Sequence, residues 1–421
     1  MIKRVGKYLA TASAAAMLLA AMPLSANAEV LKFVSWQKDE KGVGDWWASV
    51  IKEWEATHPG NTIEWTKVER AAYADTMTTL FAGGTPPDIV HLASFEFPAF
   101  ANNGWLEDLG PWIEKGGLDL NGWSGQKACN FQGTTVCIMM LYYGAIFGYN
   151  EAILKEAGVA VPTNYDEFLA AAKATTKDLN GDGIVDQYGT GHETKGGAGQ
   201  YLAEMASYII DAGASYTNNE GQITIDTPEM VEGLTRWKTV VKDGLTPRDL
   251  SAGEVRKLFA DGKIALKIDG PWLYPIMEGG EAKDKLKLAT VPFNPPLGGS
   301  SNILAMPSEI SDEKKQMVWD FIAIATSDKF QSSFATLATS TPPSPRADLT
   351  EAKAAIPHFG LLVESQQAAA KAGIDRIPVG LEVQFNEFSK MVQEEVQRMI
   401  IEDLDPAAVA KTMQEKAEAL Q

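Results

Sequence analysis

With 421 residues, 45% hydrophobic and 22% charged, the chain has an ordinary globular composition, and disorder is not expected. Its net charge of −18 at pH 7 excludes a basic nucleic-acid footprint, and a strongly anionic membrane surface would repel it. The length exceeds the roughly 100–200 residues of a usual domain, so two lobes are expected.

The first 28 residues read as an export leader. Lys3, Arg4 and Lys7 form a positive head, an apolar run extends from Tyr8 to Leu24, and Ala26-Asn27-Ala28 supplies the small residues that a signal peptidase accepts. Cleavage after Ala28 removes three basic side chains and no acid, taking the net charge from −18 to about −21. No Cys stands at the cleavage point to carry a lipid tether. No later run holds the roughly 18–20 apolar residues of a spanning helix. A free, soluble, periplasmic monomer is expected.

From Glu29 onward the pattern alternates strand and helix. Leu31 to Trp36 reads as a strand, and Trp47, Val50, Ile51 and Trp54 then line one helical face until His58-Pro59-Gly60 ends it. Ile63 and Trp65 alternate with polar residues in a second strand. Met77, Leu80 and Phe81 mark a second helix closed by Gly83-Gly84, and Asp88 to Leu92 is a third strand. This order predicts an α/β fold with parallel pairing and helices on both faces. After Tyr149-Asn150 the sequence becomes helix-rich. Asn164 and Glu167 form a capping box, Thr227-Pro228-Glu229 opens a helix carrying Val231, Leu234, Trp237 and Val241, and Lys263 to Ile268 is a strand leading into Gly270-Pro271-Trp272. Val318, Phe321, Ile322 and Ala325 share one helical face, and Phe385, Phe388, Val392, Val396 and Met399 another. There is no internal repeat and no low-complexity linker.

Cys129 and Cys137 flank the turn formers Asn130, Gly133 and Thr134, an arrangement that suits a disulfide across a hairpin; two small buried side chains are the alternative. The segment Asp178-Leu-Asn180-Gly-Asp182-Gly-Ile-Val-Asp186 resembles the first half of a calcium loop, but Gly189 stands where a bidentate Glu belongs. A turn-rich loop whose Asx side chains cap their own backbone is the competing reading, and any ion would be structural. His58, His91, His192 and His358 lack ligand spacing, and no other cofactor is expected. The chain has no Gly-x-Ser-x-Gly elbow, His-Glu-x-x-His or Walker loop, and Gly196-Gly197-Ala198-Gly199 lacks the lysine of a phosphate loop.

The aromatic residues gather at strand ends. Trp36 ends the first strand, Tyr73 follows the second, Phe95 and Phe97 follow the third, Tyr142 and Tyr143 precede the change of rhythm, and Trp272 sits on a Gly-Pro turn. In open parallel sheets ligands bind beyond the carboxyl ends of the strands. Flat rings match the C–H faces of a sugar, while Glu69, Ser94, Glu96, Asn302 and Arg346 offer partners for its hydroxyls. Each ring taken singly is as consistent with core or surface.

The mature chain from about Val30 to Gln421 resembles the sugar-type extracellular solute-binding proteins (family 1), the receptors of ABC importers. The marks run in order. Trp54-Glu-Ala-Thr-His-Pro-Gly60 is close to F-E-x-x-H-P-G, and Ala82-Gly-Gly-Thr-Pro-Pro-Asp-Ile-Val90 is like A-G-x-x-P-D-V. Asn103-Gly-Trp-Leu-Glu-Asp-Leu109 resembles x-G-x-L-x-D-L, and Tyr149-Asn150 through Pro162-Thr-Asn-Tyr-Asp-Glu-Phe168 resembles Y-N…P-x-T-W-D-E-F. Phe259-Ala-Asp-Gly-Lys-Ile-Ala265 and Gly270-Pro-Trp272 resemble F-x-x-G-K-x-A-M and G-x-W. One stretch departs: Cys137-Ile-Met-Met-Leu-Tyr-Tyr-Gly144 replaces the family's Y-G-x-P.

The resemblance implies a two-lobed periplasmic binding fold (type II), each lobe a mainly parallel sheet flanked by helices, with the hinge crossed three times. The N-terminal lobe would comprise residues 29–143 plus 301–339 and the C-terminal lobe 144–300 plus 340–421. Ligand groups would be Trp36, Glu69, Tyr73, Ser94, Glu96, Tyr143, Gly270, Trp272, Ser301, Asn302 and Arg346. The partners implied are a carbohydrate or polyol derivative and the membrane permease. A charged ligand would look to Arg70, Arg346 or Arg376. The alternative from another class is a secreted lyase or glycosidase.

Overall fold

The computed structural model describes residues 28–373 and 377–421. The leader expected over residues 1–28 lies outside the described residues but for Ala28, as does Arg376. No helix among the described residues is long and apolar enough to cross a membrane.

The alternation read from Leu31, Ile63 and Ile89 produces three strands that run the same way. β1 (Val30–Ser35) pairs in parallel with β2 (Thr62–Lys67), from Val30 opposite Thr62 to Ser35 opposite Lys67. On its other side, a parallel bridge from Phe33 to Ile89 leads into β3 (Val90–Ala93). The helix Val43–Thr57 covers the sheet because Trp46, Trp47, Val50, Ile51 and Trp54 fall on one face and are buried. Its indole N–H groups are also satisfied: Trp46 donates to the Phe330 carbonyl at 2.8 Å and Trp54 to the Met317 carbonyl at 3.0 Å. Those two bonds tie the helix to the helices Asp312–Thr326 and Asp328–Leu337, far along the chain.

β4 (Ile138–Gly144) runs through Ala145 directly into β5 (Ile146–Asn150), and this is where the chain passes from the first sheet to the second. The second sheet contains β5, β6 (Tyr188–Thr190), β7 (Ile264–Asp269) and β8 (Leu286–Ala289), in the order β8-β5-β7-β6. The chain then returns as β9 (Gly298–Ala305), which inserts between β3 and β4 and is antiparallel to both. Each sheet therefore keeps one direction except for a single reversed strand, β9 in the first and β5 in the second. Both reversed strands follow a crossing, because a chain that enters a new sheet without turning runs against its neighbours.

Two main cores result. One gathers residues from Leu31 to Tyr143 and from Ile303 to Ala338. The other gathers residues from Phe147 to Phe293 and from Leu381 to Ala417, and the opposite face of the second sheet is covered by a smaller cluster that includes Ile146, Phe259, Leu273, Phe359 and Leu362. Cys129 and Cys137 are joined beside a short hairpin, Sγ to Sγ 2.09 Å, with Cα atoms 5.0 Å apart.

The helix Phe359–Ala372 lies across the strands at the crossings. Gly144 makes this possible: a Cβ there would overlap the Ser365 carbonyl carbon, and one at Gly298 would stand 2.5 Å from the Ala369 Cβ. Gln366 fixes the register by donating to the Tyr142 carbonyl at 2.7 Å. Gly144→Ala forces backbone against backbone, so it should destabilise the protein by about 1–3 kcal/mol or more. The expected result is a lower urea midpoint with an unchanged slope; an unchanged midpoint would show that the crossing is loosely packed.

Candidate ligand-binding cleft

A cleft of about 880 Å³ opens between the two cores, beyond the strand ends. Seven of the eleven residues expected at the site line it: Trp36, Glu69, Tyr143, Gly270, Trp272, Ser301 and Asn302. Local backbone features aim several of them. Ser35 caps the turn Trp36–Asp39 by accepting the Gln37 N–H, which swings Trp36 off the strand axis. The β9–β4 register slips on either side of Asn302, and such bulges re-aim side chains near sites. Gly270 leaves room for the Trp272 ring to fold back over the turn, space that a Cβ would occupy.

The other four stand elsewhere. Tyr73 is fully buried, with its hydroxyl within hydrogen-bond distance of the Val34 (2.8 Å) and His91 (2.6 Å) carbonyls, so it holds strands together instead of facing the cleft. Ser94 is buried, and its N–H donates to the Ser301 carbonyl at 2.7 Å. Glu96 accepts from the Ala93 N–H at 2.9 Å and pairs with Arg70 at 2.8 Å. Arg346 bridges Asp119 (3.1 Å) and Asp328 (3.2 Å) away from the cleft. The loop from Asp178 to Asp186 uses its oxygens on its own backbone. Asp178 accepts from Gly181 and Gly183, Asn180 from Asp182, Asp182 from Ile184 and Asp186 from Leu179, at 2.7–2.9 Å. Among the described residues no group of three or more His, Cys, Asp or Glu could hold a metal ion.

The inner wall is a network of charges that periodicity does not reveal. Asp269, at the end of β7, takes both the Nε (2.9 Å) and Nη2 (3.0 Å) donors of Arg256, the Gly270 N–H (2.8 Å) and the Trp272 indole N–H (2.6 Å). Burial alone would raise this carboxyl, but Arg256 and Lys267 outweigh it and hold it well below the usual range. The buried Lys267 ammonium lies 3.4 Å from Asp269 and 3.6 Å from Glu204. Glu204 also pairs with His192 at 3.0 Å, and the His192 ring meets the Tyr208 hydroxyl at 2.7 Å. From the first lobe, Arg70 lies over the Trp36 ring at 4.7 Å. His91, stacked on Trp36 at 4.2 Å, is pushed down to about 3 by burial and by Arg70, and so stays neutral. The Glu40 carboxyl is raised by burial, against the opposing pull of Arg256 and Arg70.

The cores meet across the cleft. The Tyr143 and Trp272 rings are 4.9 Å apart, Phe95 and Phe385 5.3 Å, and Lys390 pairs with Asp75 at 3.3 Å.

The chain belongs to the bacterial extracellular solute-binding proteins, whose sequence profile matches residues 37–332. Among its relatives, the diacetylchitobiose binding protein DasA of Streptomyces coelicolor is 23% identical over 318 residues, covering 71% of this chain and 70% of that protein. Two solved structures share the two-lobed fold, each with a TM-score of 0.80. Maltose-bound MalE3 of T. maritima is 19% identical, covering 94% of this chain and 100% of that one. An ABC transporter solute binding protein from Agrobacterium radiobacter K84, in complex with ribitol, is 20% identical, covering 94% and 99%.

Glu193, buried at the cleft wall, is raised from its ordinary value of 4.5 to about 7, by burial first and by the Glu204 charge second. The folded protein thus keeps a proton that the unfolded chain releases near 4.5, so this group's contribution to stability is full below that pH and is lost as pH rises through about 7. Glu193→Gln removes the dependence. At pH 8 the variant should be more stable by up to about 3 kcal/mol, since a tenfold change in proton affinity is worth about 1.4 kcal/mol, and equally stable near pH 4. Parallel pH profiles for the two proteins would show that Glu193 is not the group responsible.

Proposed function

We propose that this protein is the periplasmic receptor of an ABC importer, and that it clasps an uncharged, hydroxyl-rich solute, a sugar or polyol, and delivers it unaltered to the permease. The supporting observation is that the cleft combines rings from both lobes with charged groups that are already paired. Trp36 comes from one lobe and Trp272 from the other, while the Arg256 guanidinium is held by Asp269 and that of Arg70 by Glu96. Paired groups of this kind present fixed donors and acceptors to hydroxyls, and each hydroxyl left unmatched would cost about 1–3 kcal/mol.

Charge supports a neutral ligand. Eight aspartate or glutamate and six lysine or arginine side chains line the cleft, and even with Glu193 protonated an anionic ligand meets no surplus of positive charge. Family membership, and relatives bound to or named for a disaccharide, maltose and ribitol, support the same reading over a lyase or glycosidase. Closure is a population shift that the solute drives through contacts made better in the closed state, the form that the permease would recognise.

A thermal-shift screen over neutral sugars, polyols and their phosphate or sulfonate derivatives tests this, because a cleft ligand raises the melting temperature by mass action. Shifts with neutral solutes are expected; shifts with anions alone would overturn the neutral-ligand reading, and turnover of an oligosaccharide would replace the receptor with an enzyme. Trp272→Ala should weaken binding at least about 10-fold, the equivalent of about 1.4 kcal/mol of lost stacking. Unchanged affinity by calorimetry would remove Trp272 from the site.

A further inference from the structure

The run Gly196-Gly197-Ala198-Gly199 is no phosphate loop, and none of its residues lines the cleft. None of its three glycines stands in the left-handed region, and Gly197, just before the helix Ala198–Asp211, has an ordinary φ of −61°. Backbone conformation therefore does not call for glycine here. Close approach does. A Cβ on Gly199 would stand 2.7 Å from the Phe95 ring and 3.3 Å from the Phe385 ring, and one on Gly197 would stand 3.4 Å from the Ala71 carbonyl oxygen. Gly196 makes room within its own lobe, where a Cβ would stand 2.5 Å from the Glu193 carboxyl. Phe95 and Ala71 belong to the first lobe, so Gly197 and Gly199 mark the place where the second lobe receives it.

This contact is one part of a longer seam. Phe95 packs against both main cores, and its ring centroid lies 5.3 Å from that of Phe385. The Arg70 guanidinium lies 5.5 Å from the same ring. Further along the helix Arg70–Ala82, Asp75 pairs with Lys390 of the helix Phe385–Ile401 at 3.3 Å. Between these elements a gap of about 90 Å³ remains, against about 880 Å³ in the cleft. The seam is thus a packed contact between lobes. Phe95 also faces the cleft, but Gly199, Phe385, Asp75 and Lys390 do not line it.

We propose that the seam is an interlobe latch: Phe95, seated on Gly199 and Phe385, holds the lobes together without a solute, and Gly199 sets affinity although it touches none. In a hinged receptor the solute drives closure only through its preference for the closed form. A latch that already populates that form lowers the demand on the solute, because the apparent dissociation constant is the intrinsic one divided by the competent fraction. Loosening the latch therefore weakens every solute by one factor and leaves their ranking unchanged. The inference concerns the hinge and not the nature of the solute, so it stands or falls apart from the sugar or polyol reading.

The test measures the distance between the lobes with no solute added. Nitroxide labels on Lys52→Cys and Lys411→Cys, exposed positions on helices of opposite lobes, report it by double electron–electron resonance. Cys129 and Cys137 are joined to each other and take no label. The protein is unfolded in guanidinium chloride and refolded beforehand to remove any carried solute. The labelled parent should show a short-distance population that matches the structure. Gly199→Ala should lower that population at least threefold, although alanine suits a helix better than glycine, and Gly199→Leu should lower it further. Phe95→Ala should lower it likewise, and in that background Gly199→Ala should lower it no further, because both changes remove one contact. Melting curves show whether each variant is folded. A parent without the short-distance population overturns the latch, as does a population that survives both Gly199 substitutions. Additive losses from Phe95→Ala and Gly199→Ala would show that the two residues act separately, which overturns the seating of the ring on the glycine.

Discussion

Asp269 is the joint on which the second lobe's wall of the cleft depends. One buried carboxylate fixes the Arg256 fork, the Gly270 N–H and the Trp272 indole, so the cation, the turn and the ring of the second lobe share a single anchor. In a low-dielectric wall such a group must be fully bonded or it is costly, and four donors around one carboxylate, with the Lys267 ammonium 3.4 Å away, meet that requirement. Trp272 is thereby held in one pose, and in the role proposed for it a pre-set ring would lose little freedom on binding.

The same logic runs outward from this point. Lys267 passes charge balance to Glu204 and Glu204 to His192, so ionisable side chains that would be prohibitive singly are stable as a chain. Glu193 lies beside this chain and remains protonated up to about pH 7, where its neighbour Glu204 holds its own charge against burial with help from Lys267 and His192. The first lobe contributes aromatic surface and the Arg70–Glu96 pair. The two lobes therefore bring different chemistry to a shared space.

The amino-acid pattern made the scaffold readable. Parallel strands announced themselves through Leu31, Ile63 and Ile89, and helices through spacings such as Trp47, Val50, Ile51 and Trp54, because burial imposes a period. The reversed strand β9 left no such mark, since strand direction is set by tertiary connection and not by side-chain order. At the cleft, Trp36 and Trp272 were legible from their positions at strand ends and turns. Tyr73 was equally well placed by that criterion, yet it shares the buried face of its helix with Met77 and Phe81, a four-residue period that marks it as core. Arg256, Asp269, Glu40 and Glu193 escaped notice because a lone charge in an amphipathic segment is indistinguishable from a solvated one until its partners are known. Asp269, immediately before Gly270-Pro271-Trp272, was the one that position could have revealed.

The insertion of β9 between β3 and β4 also orders the way the molecule comes into being. As the polypeptide emerges from the ribosome, Val90–Ala93 and Ile138–Gly144 are finished long before Gly298–Ala305 exists, so the slot between them stays vacant and both flanking edges lack their main-chain partners. The second sheet takes all of its strands from residues 146–289 and has no comparable gap. The sheet that begins the chain is thus the sheet that completes later, while the second core still waits for Leu381–Ala417, so each half depends on residues made after most of the chain.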